Sequence, residues 1–142
     1  MIEHVQRIGK HTVRVGEHQD TLDLTLRGDV TLDDAKQIFD FMATRFAGRS
    51  YMLVTGDMSE LGHVRAEVRR LLVTDASRIP PIRGLVYHRA GFKARVLTEL
   101  VVRGYALATG ADLPVHFVKD EAEACAWLAR RRAQLAGAAQ PT

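Results

Sequence analysis

The fold is decided by a short apolar run, YMLV at residues 51–54, which ends in Thr55-Gly56-Asp57. A strand with one solvated face alternates between apolar and polar residues, whereas a strand covered on both faces is nearly continuously apolar. The run therefore predicts a central strand with packing on both sides. Such strands occur in parallel sheets whose faces carry helices, so the rest of the sequence is interpreted around an α/β fold.

The sequence before this run alternates. Leu22, Leu24 and Leu26 are separated by Asp23 and Thr25, and an alternation of period two predicts strands with one buried face. Strands are predicted over residues 3–8, 11–16 and 21–27. The polar residues between the second and third strands indicate a hairpin turn, so the sheet is expected to begin with an antiparallel hairpin and to be mixed.

Helical spacing of apolar residues predicts four helices. Thr31 and Asp34 resemble a capping box at the start of the first helix, and Gly48 ends that helix. Asp120 and Glu123 form a similar pair before the last helix. The second and third helices are predicted over about 63–73 and 92–109, and further strands over 83–88 and 114–118.

The resulting order is β-β-β-α-β-α-β-α-β-α. It predicts an α/β fold with a mixed sheet of about five to six strands, four helices and right-handed crossovers between parallel strands. The chain of 142 residues is long enough for one domain. That domain is expected over residues 1–135, and the small, polar segment 136–142 is expected to be a flexible tail.

Targeting signals are not recognisable in the sequence. There is no apolar run of about 18 residues to predict a transmembrane helix, and the N-terminus lacks the apolar core of a signal peptide. A cytoplasmic protein is therefore expected. Cys125 is the single cysteine, which excludes a disulfide scaffold, and it is expected to be buried in the apolar face of the last helix.

Basic residues are concentrated in the middle of the chain. Residues 1–62 carry 7 Lys and Arg against 10 Asp and Glu, residues 63–103 carry 9 against 3, and residues 104–142 carry 4 against 4. The basic segment can attract an acidic partner, an anionic lipid or a nucleic acid, or it can simply solvate a helix face. Aromatic residues are only 6% of the chain and no base-stacking motif is present, which argues against nucleic acid.

Motifs for catalysis and cofactor binding are absent from the sequence. It contains no phosphate-binding glycine pattern, and its 6 histidines and single cysteine lack the spacing of a zinc site. Ser50, Ser59 and Ser77 lack a nucleophile elbow. No catalytic residue, metal or cofactor is expected, and an enzyme of unrecognised type stays open as a third alternative.

The most suggestive segment for function is LVTGDMSELGHVRAEVRR at residues 53–70. The predicted strand would carry Asp57 and Ser59 to its carboxyl end, where binding surfaces lie in open α/β sheets. Gly62 would precede a helix N-terminus, which favours an anionic group. The same residue types also build ordinary turns and caps, so a purely structural role is the alternative.

Three segments of the chain resemble one family. They are Leu26-Arg27-Gly28-Asp29-Val30-Thr31 before the first helix, the strand Tyr51–Val54 with Asp57-Met58-Ser59, and Val115-His116-Phe117-Val118 followed by Asp120–Ala124 and Trp127-Leu128. In this order, over about residues 10–132, the chain resembles the SpoIIAA-like (STAS/SEC14-like) branch of the STAS superfamily. The resemblance implies a mixed sheet with helices packed mainly on one side.

The resemblance also implies a non-enzymatic role. Anti-sigma-factor antagonists of this fold bind a serine-kinase-like partner and are switched by phosphorylation of a serine in a DSSG-like motif. The matching stretch here, Ser59-Glu60-Leu61-Gly62-His63, has no DSSG, and Ser59 is the nearest candidate. The likeness to lipid-binding SEC14-like domains implies a second possibility, an apolar ligand beneath the helices.

Two functional hypotheses follow. The first is a regulatory or protein-interaction module that resembles anti-sigma-factor antagonists. Its partner-binding residues would be Asp57, Ser59, His63, Arg65 and Arg69, the two arginines sharing a helix face.

The second hypothesis is a binder of a small apolar or amphiphilic ligand. Its pocket beneath the second and third helices would be lined by Leu72, Val96 and Leu100, which otherwise fill an ordinary core. A homodimer is compatible with a soluble domain of this size.

Overall fold

The computed structural model describes residues 5–111 and 113–139. Within these residues the strands are β1 (Val5–Ile8), β2 (His11–Val15), β3 (Thr21–Val30), β4 (Met52–Val64), β5 (Ile82–His88) and β6 (Val115–Val118). The helices are α1 (Leu32–Arg45), α2 (Ala66–Thr74), α3 (Phe92–Thr109) and α4 (Glu121–Ala139). The element order is the predicted one. Residues 3 and 4, where β1 was predicted to begin, lie outside the described residues.

The strands form one sheet in chain order, from β1 to β6. Neighbours from β1 to β3 are antiparallel, and neighbours from β3 to β6 are parallel. Each parallel step moves in the same direction, so right-handed crossovers place α1, α2 and α3 on one face of the sheet. α4 follows the last strand and packs on the opposite face. The mixed sheet with its antiparallel start confirms the predicted α/β fold.

The core lies on both sides of the central strand. Leu53 and Val54 are 0% and 4% exposed, which confirms that β4 is covered on both faces. Val54 belongs to the large apolar cluster under α1–α3, whereas Leu53 packs with Val86 of β5 and with α4. The apolar strand residues packed under α4 belong to β4, β5 and β6.

β4 is much longer than predicted. Residues 55–63 were expected to form a turn and the start of a helix, but β4 continues to Val64 and α2 begins at Ala66. The reason is pairing with β3, which extends to Val30 opposite Val64. A Cβ atom at Gly62 would lie 2.5 Å from Asp29 Oδ1, so glycine is needed there for close strand approach and not for a turn.

The starts of α1 and α4 follow the local sequence signals, whereas α1 ends at Arg45, before Gly48. In α1, Asp34 N donates to Thr31 Oγ1 at 3.0 Å and Thr31 N donates to Asp34 Oδ2 at 3.2 Å, which confirms the capping box. Asp120 Oδ1 accepts from Glu123 N at 2.9 Å at the start of α4. α4 includes residues 136–139 of the segment predicted to be flexible. Residues 140–142 lie outside the described residues, and the flexibility of the segment stays a prediction.

A buried carboxylate holds α4 against the sheet. Asp20 is 5% exposed, and its Oδ2 accepts hydrogen bonds from Arg132 Nε at 2.7 Å and from the Tyr51 hydroxyl at 2.9 Å. Burial raises the pKa of Asp20, but the hydrogen bonds from Arg132, Thr21 and Tyr51 outweigh it and leave the pKa below its ordinary value. The ionised carboxylate therefore ties the C-terminal helix to the start of β3.

Cys125 is exposed, so the expectation that it is buried was wrong. α4 buries Ala124 and Leu128, which are four residues apart and pack on Leu53 and Val86. Cys125 is rotated by about 100° from Ala124 around the helix. Because α4 covers only part of the sheet, this rotation leaves the thiol at the open side of the helix.

Candidate functional site

A cavity of about 190 Å³ lies between the sheet and α1–α3. Nearly all the side chains that line it are aliphatic or aromatic, among them Leu24, Ile38, Met42, Val54, Leu72 and Val101. Packed protein interiors contain few voids larger than a water molecule, and an engineered apolar cavity of about 150 Å³ binds benzene. The cavity therefore has the volume and the lining that a small apolar group requires.

Among the described residues that line this cavity, Arg69 is the charged one. It lies on α2, is half-buried, and donates from Nη1 to the Val64 carbonyl oxygen at 2.7 Å. Arginine buries its aliphatic stem against apolar surface while its guanidinium reaches polar partners. Arg69 thus adds a positive charge to an otherwise apolar wall, at a point that solvent reaches.

Two residues of the lining, Thr98 and Tyr87, carry hydroxyl groups. Thr98 Oγ1 donates to the Ala94 carbonyl oxygen at 2.7 Å, so its hydrogen is already used within α3. Burial raises the pKa of Tyr87, which keeps the phenol neutral. The cavity therefore offers apolar contact, one guanidinium and little other polar chemistry.

The residues predicted to bind an apolar ligand are placed differently by the structure. Leu72 lines the cavity, but Val96 and Leu100 are 40% and 46% exposed on the outer side of α3. Leu97 and Val101, each one position further along, line the cavity instead. One residue turns a helix by about 100°. The buried positions Ala94, Thr98 and Tyr105 mark the inward face of α3 in the structure.

Two of the five predicted partner-binding residues, Asp57 and Ser59, lie together in the structure. Ser59 N donates to Asp57 Oδ1 at 2.8 Å, and Arg89 Nη1 lies 3.1 Å from Asp57 Oδ2. Burial raises the pKa of Asp57, but the hydrogen bonds from Ser59 and the charge of Arg89 outweigh it and lower the pKa overall. Asp57 pairs with Thr25 in the sheet and faces the α4 side.

The other three predicted residues lie elsewhere. His63 is exposed at the end of β4, where Lys93 Nζ lies 3.2 Å from His63 Nδ1. Arg65 is exposed and begins α2 as its N-cap, without a side-chain cap hydrogen bond. Arg69 lines the cavity under α2. Asp57 and Arg69 are therefore on opposite faces of the sheet, and the five residues do not form one surface.

An exposed aromatic residue that the sequence interpretation missed lies next to this region. Phe92 is 83% exposed at the first position of α3. Its neighbour Lys93 contacts His63, and Arg89 and Arg95 lie within three residues of it. Aromatic side chains and arginines are frequent among the anchors of protein interfaces, so Phe92 and its cationic neighbours form a candidate interaction surface.

Across residues 5–111 and 113–139, no group of three or more His, Cys, Asp and Glu side chains is arranged to hold a metal ion. No helix in that part of the chain combines the length and apolar character needed to cross a membrane. Comparison with known proteins gives no match to a family model, to a curated protein or to a solved structure.

Proposed function

We propose that this protein is a non-enzymatic binder of a small apolar or amphiphilic ligand, held between the sheet and α1–α3. The observation that carries the proposal is the apolar cavity of about 190 Å³. Side chains that border an empty space lose dispersion contacts. A ligand that fills the space restores them and removes its own apolar surface from water, at roughly 25 cal/mol per Å². Burial alone can therefore drive binding.

Arg69 favours ligands with an anionic end. A guanidinium has five N–H donors, and Arg69 uses one of them, at Nη1, to donate to the Val64 carbonyl oxygen at 2.7 Å. The other donors of the fork suit a carboxylate. We therefore expect an apolar tail in the cavity with its acidic group at Arg69, and weaker binding of the uncharged alcohol of the same length.

The volume also limits the size of the ligand. It exceeds the engineered benzene site of about 150 Å³ only modestly, so it suits a substituted ring or a short acyl chain and not a whole membrane lipid. The resemblance to the SpoIIAA-like (STAS/SEC14-like) branch supports an apolar ligand beneath the helices, since SEC14-like domains bind lipids, and the volume of this cavity restricts the ligand to a smaller molecule.

The proposal is tested by titrating the purified protein with octanoate and with octanol in a calorimeter. Val101→Phe places a ring in the cavity, and Val96→Phe makes the same change on the exposed side of the same helix. We expect wild type and Val96→Phe to bind octanoate with equal affinity, and Val101→Phe to lose binding. Arg69→Gln should weaken the binding of octanoate by about tenfold and leave the affinity for octanol unchanged.

Two results would reject the proposal. One is octanoate binding by Val101→Phe at wild-type affinity, because the ligand would then lie outside the cavity. The other is the absence of binding for octanoate, octanol and an apolar dye alike in the wild type, because the cavity would then be an ordinary packing defect.

A second candidate function is the regulatory or protein-interaction module that resembles anti-sigma-factor antagonists. The observation that favours it is exposed Phe92 beside Lys93 and His63. An aromatic anchor with surrounding cations fits an acidic segment of another protein. The resemblance supports a serine-kinase-like partner, and a homodimer is the other assembly that this surface could form.

This second candidate needs its own variants, because a change at Arg69 would also alter the cavity. Phe92→Ser with Lys93→Glu should remove binding of an acidic, leucine-containing peptide, measured by fluorescence anisotropy, while octanoate binding stays intact. Arg45→Glu, on α1, is the matched charge change away from this surface. Equal peptide binding by all of these proteins would contradict the second candidate alone.

A further inference from the structure

The opposite face of the sheet carries a second cleft. It has a volume of about 410 Å³ and lies between α4 and strands β2 to β5. The sheet register aligns Arg14, Asp23 and Thr55 in one row across β2, β3 and β4. These three side chains all line the cleft. Alternation of period two therefore gives the same strands an apolar side under α1–α3 and a polar side here. We call this second cleft the polar groove.

Two buried polar atoms in the polar groove lack partners. Thr55 is only 9% exposed, and its Oγ1 has no hydrogen-bond partner among the described residues. The Nδ1 atom of His88, on the neighbouring strand β5, is also buried and without a partner in the described chain. Both residues line the groove. Burying a polar atom without a hydrogen bond is costly, so two such atoms in one cleft point to a ligand that supplies the bonds.

The charges of the groove indicate the kind of ligand. Arg14 donates to Asp23 from Nη2 at 2.7 Å, and Arg132 is engaged by Asp20 beneath the groove. Glu17 and Glu121 line the same cleft, and Glu121 Oε1 is 3.9 Å from Arg14 Nη2. The lining thus contains more carboxylates than guanidinium groups. Thr55 Oγ1 and His88 Nδ1 can both accept hydrogen bonds, so the groove suits a cationic donor.

We propose that the polar groove is a second binding site, for a small polar molecule that carries a primary amino group. The orphaned atoms of Thr55 and His88 accept its N–H groups, and Glu121 supplies the opposing charge. The site is separate from the apolar cavity, because the sheet lies between them. Its occupancy is therefore independent of the proposed function.

Cys125 provides a reporter for this site. It is exposed, lines the groove, and is the single cysteine of the chain. Its alkylation by iodoacetamide would be followed by intact-mass spectrometry with putrescine, with the diol of the same length and with succinate. We expect putrescine to slow alkylation several-fold in a saturable manner, and the diol and succinate to have no effect. Protection by succinate, or no protection by putrescine, overturns the proposal.

Variants separate ligand contact from a merely structural role. Thr55→Val keeps the shape of the side chain and removes the orphaned hydroxyl. We expect putrescine binding, measured by calorimetry, to weaken about tenfold with no loss of thermal stability. Thr74→Val, on α2 across the sheet, is the matched control and should bind as wild type. Putrescine binding that is unchanged in both Thr55→Val and Glu121→Gln would overturn the site.

Discussion

The two faces of the sheet differ although the same strands build both. On the α1–α3 face, Leu22 and Leu24 of β3 border an apolar cavity. On the α4 face, Thr21 and Asp23 of the same strand line the polar groove. Right-handed crossovers place three helices over the first face, so that face is covered and apolar. On the other face, α4 packs its apolar residues on β4 to β6, and the neighbouring positions Arg14, Thr21 and Asp23 are polar.

The two clefts have opposite energetic defects. The cavity lacks apolar contacts, so added apolar volume should stabilise it. The polar groove lacks hydrogen-bond partners, so the removal of a polar atom should stabilise it. The comparison can therefore be tested in two ways. One substitution enlarges a side chain in the apolar cavity, and the other removes a hydroxyl from the polar groove.

The largest effect is expected at the carboxylate that holds α4. Asp20→Ala leaves Arg132, Tyr51 and Thr21 without their shared partner, and breaking a buried ion pair costs about 3–5 kcal/mol. Urea unfolding would measure the loss. Asp57→Ala is the control, because its partner Arg89 is 61% exposed and a pair of that kind contributes about 1 kcal/mol or less. Equal losses in both variants would contradict the assigned role of Asp20.

Acid should release part of the same stabilisation. The pKa of Asp20 is lowered in the folded protein from its ordinary value of 3.8. Asp20 therefore binds a proton more readily in the unfolded chain than in the folded protein. The stabilisation that ionised Asp20 contributes is complete above pH 3.8 and is lost as the pH falls through the pKa of Asp20 in the folded protein. Asp29 and Asp57 have the same sign, so Asp20→Asn should reduce the acid slope of stability without abolishing it. A slope equal to that of wild type would contradict this.

Filling the apolar cavity should stabilise the protein. Val101→Phe adds apolar volume where Val101 lines the cavity, and cavity-filling changes typically add about 1 kcal/mol. Val96→Phe, on the exposed side of α3, should change the free energy of unfolding by less than about 0.5 kcal/mol. Thermal unfolding without added ligand distinguishes them. A strongly destabilised Val101→Phe would show that the space is too small to accept a ring.

The smallest effect is expected in the polar groove. Thr55→Val removes a buried hydroxyl that has no partner among the described residues, so the ligand-free protein should gain about 0.5–1 kcal/mol. Differential scanning calorimetry of wild type and variant in the same buffer measures it. A loss of stability would show that the hydroxyl is already hydrogen-bonded in solution, and the contrast between the two faces would then weaken.

Local signals in the sequence predicted the elements but not the clefts. The capping residues Thr31 and Asp120 lie where the helices begin, because caps depend on a few neighbouring residues. The length of β4 was not predicted, because the glycine at position 62 was interpreted as part of a turn. In the structure Gly62 allows the close approach of β3, which is distant in sequence. Composition alone makes such a segment look like a turn.

The lining of each cleft depends on packing that no local pattern specifies. The apolar residues of α3 extend around more than half of the helix, so Val96 and Val101 are equally plausible inward residues until α2 and the sheet are placed. Thr55 and His88 look like ordinary strand residues. Only the placement of α4 on the sheet shows that both residues line a groove and that their polar atoms are buried without a partner among the described residues.

Native mass spectrometry of wild type and Val101→Phe, purified from the organism of origin, tests the central claim most directly. The account predicts a bound apolar mass on wild type that is absent from Val101→Phe and that octanoate displaces. A wild-type protein that carries no such mass and takes up no octanoate, with Val101→Phe behaving identically, would contradict the assignment of the cavity as a ligand site.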